Sequence, residues 1–171
     1  LDLSRLSCGK VEPAVADIDV RALLDEIAHG ARLALRQKPV HVVVDCQAAA
    51  FRSDPVRVRQ ILGNLAANAA KFTTAGTITI AARAGRDWVT FIVHDTGCGI
   101  PGDKQELIFT AFEQLAPGAQ AGGIGLGLAI VRQLTDVLGG TVHLDSAPEV
   151  GATFTVTLPQ LAAARTSEEA A

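Results

Sequence analysis

The 171-residue chain contains no methionine, the initiator included, and only three cysteines, Cys8, Cys46 and Cys98, at no paired spacing. The missing methionine points to a piece of a longer protein. Odd-numbered, scattered cysteines argue against a disulfide framework and for reduced thiols in a cytoplasmic setting. No apolar run approaches the roughly 18 residues that cross a bilayer, and no signal-peptide pattern opens the chain. Basic excess is missing too: a net charge of −3 removes the electrostatic ground for nucleic-acid binding. What is present, 49% hydrophobic and 19% charged residues, is a globular composition, and the length suits one domain with a real core.

Periodicity gives the elements. Asp19 is placed to cap a helix carrying Leu23, Leu24, Ile27, Ala31 and Leu35, stopped by Pro39. Val40 to Asp45 reads as a buried strand. Asp54-Pro55 opens a second helix, with the proline at its first position and an apolar stripe of Val58, Ile61, Leu62, Leu65, Ala69 and Phe72. Strands are expected over Thr77 to Arg83, Trp88 to Asp95, Thr141 to Asp145 and Ala152 to Leu158. A short helix fits 103–108, and a longer one fits Gly125 to Leu138, closed by Gly139-Gly140. Between them, Phe109 to Gly123 holds Pro117 and three glycines and reads as a mobile loop. The order is helix, strand, helix, strand, strand, helix, strand, strand. It predicts an α/β two-layer sandwich, a mixed, largely antiparallel sheet with helices on one face.

Three segments carry chemistry. Asn64, Asn68 and Lys71 share one helical face, where an amide oxygen and an ammonium can hold a magnesium–phosphate pair. The same residues would also suit the wet face of an amphipathic helix. Asp95 falls on the apolar row of Val89, Phe91 and Val93, so its carboxylate needs a partner; an adenine amino group would serve. Gly97 and Gly99 follow, allowing close backbone approach, although a plain turn after a strand would use the same residues. Cys98 between them reads as a small space-filler. Gly123, Gly125 and Gly127 lead into a helix whose N-terminal amides suit phosphate oxygens; the strand and spacing of the dinucleotide fingerprint are absent.

In this order the segments resemble sensor histidine kinases. Asn64-Leu-Ala-Ala-Asn-Ala-Ala-Lys-Phe-Thr73, Asp95-Thr-Gly-Cys-Gly-Ile100, Phe109-Thr-Ala-Phe-Glu-Gln114 and Gly123-Ile-Gly-Leu-Gly-Leu128 are similar to that family's N, first glycine, F and second glycine boxes. Gly151-Ala-Thr-Phe-Thr resembles its closing glycine motif, and Leu1 to Lys10 resembles the last turn of its dimerisation helix. The resemblance implies the Bergerat ATP-binding fold, with the end of a dimerisation helix and a linker over 1–17, a catalytic domain over 18–159, and a linker or disordered tail over 160–171. It implies ATP and Mg2+ as ligands, with Asn68 on the metal, Lys71 on the phosphates and Asp95 on the adenine amino group. Asn64, Asn68 and Lys71 would be catalytic. Gly97, Gly99, Ile100, Phe112, Gly123, Gly125, Leu126, Gly127 and Leu128 would complete the nucleotide site, under a lid spanning Phe109 to Gly122. Partners implied are a dimerisation and histidine-phosphotransfer domain of the same protein and a response-regulator receiver domain, in a homodimer of the full-length chain. The domain itself would be cytoplasmic; whether its parent is anchored in the inner membrane stays open.

Related ATPases carry a glutamate base where Asn64 stands; asparagine cannot play that part, which favours transfer to histidine over hydrolysis. The Phe-Glu-Gln form of the F box resembles that of hybrid kinases, which carry receiver domains downstream. From Phe109 to Val131 there is no lysine or arginine to neutralise phosphate, and Ala111 stands where many relatives have proline. His29, His41, His94 and His143 all lack a His-Glu/Asp-x-x-x-Pro setting, so none reads as a phosphoacceptor. Two alternatives remain at this point, a degenerate nucleotide-binding regulatory module and an anti-sigma-factor-type serine kinase.

Overall fold

The computed structural model describes residues 13–110 and 126–160. A short strand β1 (Ala16–Asp19) leads straight into helix α1 (Val20–Leu35), whose first turn is closed by the Asp19 carboxylate accepting from the Ala22 amide at 2.9 Å. Strands β2 (Val40–Gln47) and β3 (Ala50–Ser53) follow, then helix α2 (Pro55–Phe72). Asp54 caps α2 through the Val56 and Arg57 amides. Strands β4 (Gly76–Ala84) and β5 (Trp88–Asp95) form a hairpin. Two single 3₁₀ turns, Gly102–Lys104 and Leu107–Phe109, stand in place of the one short helix expected over 103–108. Helix α3 (Gly127–Val137) and strands β6 (Thr141–Ala147) and β7 (Gly151–Pro159) complete the fold.

The main sheet has the order β2-β4-β5-β7-β6, with β2 parallel to β4 and every other pair antiparallel. Register alternates two faces across all five strands. One row runs Val44, Ile80, Val93, Phe154 and Leu144, and the helices cover this face. The opposite face carries a threonine-rich row such as Thr79, His94, Thr153 and Asp145, where the His94 ring nitrogen Nδ1 meets the Thr153 hydroxyl at 2.9 Å. Polar residues on one side and apolar ones on the other are the pattern of an antiparallel-rich sheet covered once. The α/β sandwich expected from the sequence is what the chain adopts.

Two elements were not foreseen. Strands β1 and β3 pair antiparallel as a separate two-stranded ribbon, Ala16 opposite Ser53 and Asp19 opposite Ala50. The ribbon sends Phe51, fully buried, edge-on to Phe91 at 5.8 Å between ring centres, sealing one end of the core. Among the described residues the first element starts at Ala16, inside the stretch 1–17 expected to be helix end and linker. Phe72 also departs from expectation: as the last residue of α2 it leaves the buried stripe and is 43% exposed, under the Lys71 ammonium at 4.9 Å from its ring centre. Cys98 is exposed and fills no core space. Residues 1–12, most of the expected lid and the tail from 161 onward lie outside the described residues. Among the described residues no helix is long and apolar enough to cross a membrane.

The sheet's end near the glycine loop depends on Gly151. Its φ is +114°, and a β-carbon there would overlap the Asp95 carbonyl oxygen. Gly151→Ala is therefore expected to lower unfolding free energy by about 2–4 kcal/mol, combining backbone strain and overpacking. Urea denaturation of the two proteins would measure it; an unchanged midpoint would contradict the packing described.

Candidate nucleotide site

The site is built where α2, the end of β5 and the start of α3 meet. Along α2, the buried stripe turns Asn64, Asn68 and Lys71 to one half-exposed edge, since residues four and three apart stack on a single face. The first residue of α3 closes against that edge. A β-carbon built on Gly127 would lie 3.8 Å from Asn64 Oδ1 and 3.9 Å from Asn68 Nδ2. Gly127 thus sits beside the asparagines, bringing the start of a helix to their side chains. The amide Nδ2 of Asn64 is buried and has no hydrogen-bond partner among the described residues. A buried donor in that state is costly unless an acceptor oxygen reaches it.

Asp95 occupies the last apolar row of the sheet, Val42, Ile78, Asp95, Ala152 and Ser146. It is 6% exposed. Burial holds its carboxyl above the ordinary aspartate value, against opposing pulls from the Gly97 amide, His94, the Ala152 amide and the Thr73 hydroxyl. Oδ1 accepts from the Gly97 amide at 2.8 Å, which folds the loop back on itself. Gly97 in turn sits against the end of α2: a β-carbon there would be 2.6 Å from the Phe72 carbonyl oxygen.

The loop after Asp95 is tied to the β6–β7 turn. The Ile100 amide donates to Ser146 Oγ at 2.9 Å, and that hydroxyl donates to the Gly151 carbonyl at 2.7 Å. Gln105 bridges the Ile100 and Ser146 carbonyls. Gly99, with φ +67°, passes so close to Ala147 that any side chain would overlap its carbonyl. The wall that would face a planar base is therefore rigid.

Among the residues singled out in the sequence, Asn64 and Asn68 flank Gly127, Asp95 bonds Gly97, Gly97 abuts the end of α2, and Lys71 shares the α2 edge. Ile100 and Leu128 pack against the core rim, and Leu126 is half-buried. Phe112, Gly123 and Gly125 lie outside the described residues. No group of three or more His, Cys, Asp or Glu side chains that could hold a metal occurs among the described residues. A hard cation here would take the Asn68 amide oxygen together with phosphate oxygens and water, a donor set that suits magnesium. Sequence reasoning overlooked Lys38, which reaches the end of α2, and Arg132, which sits 5.7 Å over the Phe109 ring just beyond the stretch that lacks lysine and arginine.

A family described as histidine kinase-, DNA gyrase B-, and HSP90-like ATPase matches residues 53–162, more than half of the chain. The chain belongs to that family. Its histidine kinase branch supplies the relatives. The virulence sensor protein BvgS of Bordetella bronchiseptica is 38% identical over 92% of this chain and 14% of its own length. The circadian input-output histidine kinase CikA of Synechococcus elongatus is 38% identical over 94% of this chain and 22% of its own. A crystal structure of full-length ShkA in complex with AMPPNP superposes with a TM-score of 0.85 at 35% identity, covering 94% of this chain and 34% of that one. The catalytic domain of histidine kinase ThkA superposes with a TM-score of 0.74 at 25% identity, covering 85% and 97%. The fold is that of histidine kinase catalytic domains, and the chain is an ATP-binding domain of the two-component kinase type. These names favour a histidine kinase over the serine-kinase and degenerate-module alternatives. The chain spans about a seventh to a fifth of the length of the first two relatives.

Proposed function

We propose that this domain binds Mg–ATP between α2 and the Asp95 loop and hands the γ-phosphoryl to a histidine on a dimerisation domain outside residues 18–159. The observation that carries this reading is the juxtaposition of three parts. They are an Asn64 amide with no partner among the described residues, a buried carboxylate on Asp95, and a helix start at Gly127 beside Asn64 and Asn68. Asp95 accepts from the adenine 6-amino group, while Gly97 and Gly99 let the base approach. Ile100, Leu126 and Leu128 give it apolar walls. Lys71 and the α3 amides meet the phosphates, joined by Gly123 and Gly125, and Phe112 belongs to the lid. A magnesium ion held by Asn68 would neutralise phosphate charge.

The transfer itself asks little of Asn64. An imidazole nitrogen brings its own lone pair to the γ-phosphorus as the bond to the β–γ bridging oxygen breaks, and ADP leaves with that electron pair. No base is required at the nucleophile, unlike attack by water, so an amide can stand there and orient the γ-phosphate instead. Transfer of the phosphoryl group from that histidine to a response-regulator receiver domain would follow, in a homodimeric parent.

Mixing the purified domain with a separate dimerisation domain bearing the acceptor histidine and γ-labelled ATP tests this directly. Acid-labile label should appear on the acceptor and none on the domain alone. Tight ATP binding with no transfer would sink the kinase reading and favour a module that signals by conformation.

A further inference from the structure

Lys38 lies in the connection between α1 and β2, with 32 residues separating it from the helix end it reaches. Its Nζ donates to the carbonyl oxygens of Ala70 at 2.7 Å, Lys71 at 3.0 Å and Thr73 at 3.1 Å. Each ammonium hydrogen thus finds one acceptor. These carbonyls belong to the last turn and cap of α2, which an isolated helix leaves unsatisfied, and a cation there also meets the negative end of the helix dipole. Lys38 is itself fixed: its amide bonds to the Leu35 carbonyl at 3.0 Å and its carbonyl accepts from Val40 at 2.8 Å.

The turn so gathered carries both halves of the site. Lys71 stands on it, on the α2 edge shared with Asn64 and Asn68. The Phe72 carbonyl abuts Gly97, whose amide donates to Asp95 Oδ1. We propose that Lys38 is a positioning residue for nucleotide binding: by holding three carbonyls at the end of α2, it sets Lys71 and the Phe72 carbonyl that backs the Gly97–Asp95 loop in register with one ligand. It touches no ligand and acts through those neighbours. This proposal rests on the ATP reading above.

The geometry suits lysine specifically. A compact ammonium can satisfy three carbonyls that converge on one point, whereas the planar guanidinium spreads its donors in a fork. Lys38→Met keeps the stem and removes the donors; Lys38→Arg keeps the charge and alters the geometry.

Calorimetric titration of Mg–ATP and of adenosine into the folded domain, well below each variant's melting temperature, tests the proposal. Lys38→Met should weaken ATP binding by about 5- to 30-fold, as expected for loss of one or two net hydrogen bonds to a charged group. Lys38→Arg should recover part of the loss. Because Lys38 acts through Lys71, the double variant Lys38→Met/Lys71→Ala should lose less than the product of the two single losses. Adenosine, which lacks phosphates, should be affected less than ATP. Full ATP affinity in Lys38→Met, or strictly multiplicative losses with Lys71→Ala, would overturn the positioning role while leaving the nucleotide site standing. A parent domain that binds no ATP would overturn both.

Discussion

Asp95→Asn is expected to weaken ATP binding by about 10- to 100-fold, yet leave the nucleotide-free domain as stable as the parent or more stable at neutral pH. The affinity loss follows from a hydrogen bond to a charged acceptor, about 1.5–3 kcal/mol, with each 1.4 kcal/mol worth a factor of ten. The stability effect follows from burial, which raises the folded carboxyl above its ordinary value. A carboxyl in that condition binds its proton more tightly in the folded chain than in the unfolded one. Stability therefore falls as pH rises from the unfolded value through the folded value, and the penalty is complete only above the folded value. Asparagine keeps the acceptor for the Gly97 amide and removes the charge, so this pH slope should flatten in the variant. Urea midpoints between about pH 4 and pH 8 measure it. Binding has the opposite dependence. An adenine amino group favours the ionised carboxylate, so the parent should lose ATP affinity as pH drops through the folded value, and Asp95→Asn should not. A variant that loses stability at neutral pH while keeping its ATP affinity would mean that Asp95 is a structural residue.

Asn68→Ala should reduce phosphoryl transfer by at least about 100-fold, the range for removing one group that stabilises charge in a positioned transfer. Its side chain is half-exposed at the edge of α2, so the melting temperature should move little. Raising magnesium should recover part of the transfer, because phosphates and water supply most of the remaining ligands. Initial rates against magnesium concentration, with the acceptor domain held constant, separate the two contributions. A variant with parental rates at every magnesium level would remove Asn68 from the metal.

How much of this was legible beforehand depended on whether the signal was local. Both long helices announce themselves through Asp19 and Asp54-Pro55 and through regular apolar spacing, and the strands through strict alternation. That alternation also puts Asp95 on a core-facing row. The β1–β3 ribbon was not legible: its strands are four residues each, and Asp17, Asp19 and Arg52 interrupt the apolar pattern. Phe72 was misassigned to the buried stripe because a 3.6-residue period says nothing about where the helix end leaves the core. Lys38 left no local trace at all, since its three acceptors lie 32 to 35 residues away and are backbone atoms. Contacts of that kind belong to tertiary packing and carry no spacing rule.

The central claim is that the α2 asparagines, Asp95 and the start of α3 surround one adenine nucleotide. Calorimetric titration of the domain with Mg–ATP and, separately, Mg–GTP tests it most directly. The account predicts one ATP per domain and far weaker GTP binding, because guanine presents a carbonyl where Asp95 needs a donor. Equal affinity for the two nucleotides, or no heat with either at saturating concentration, would contradict it.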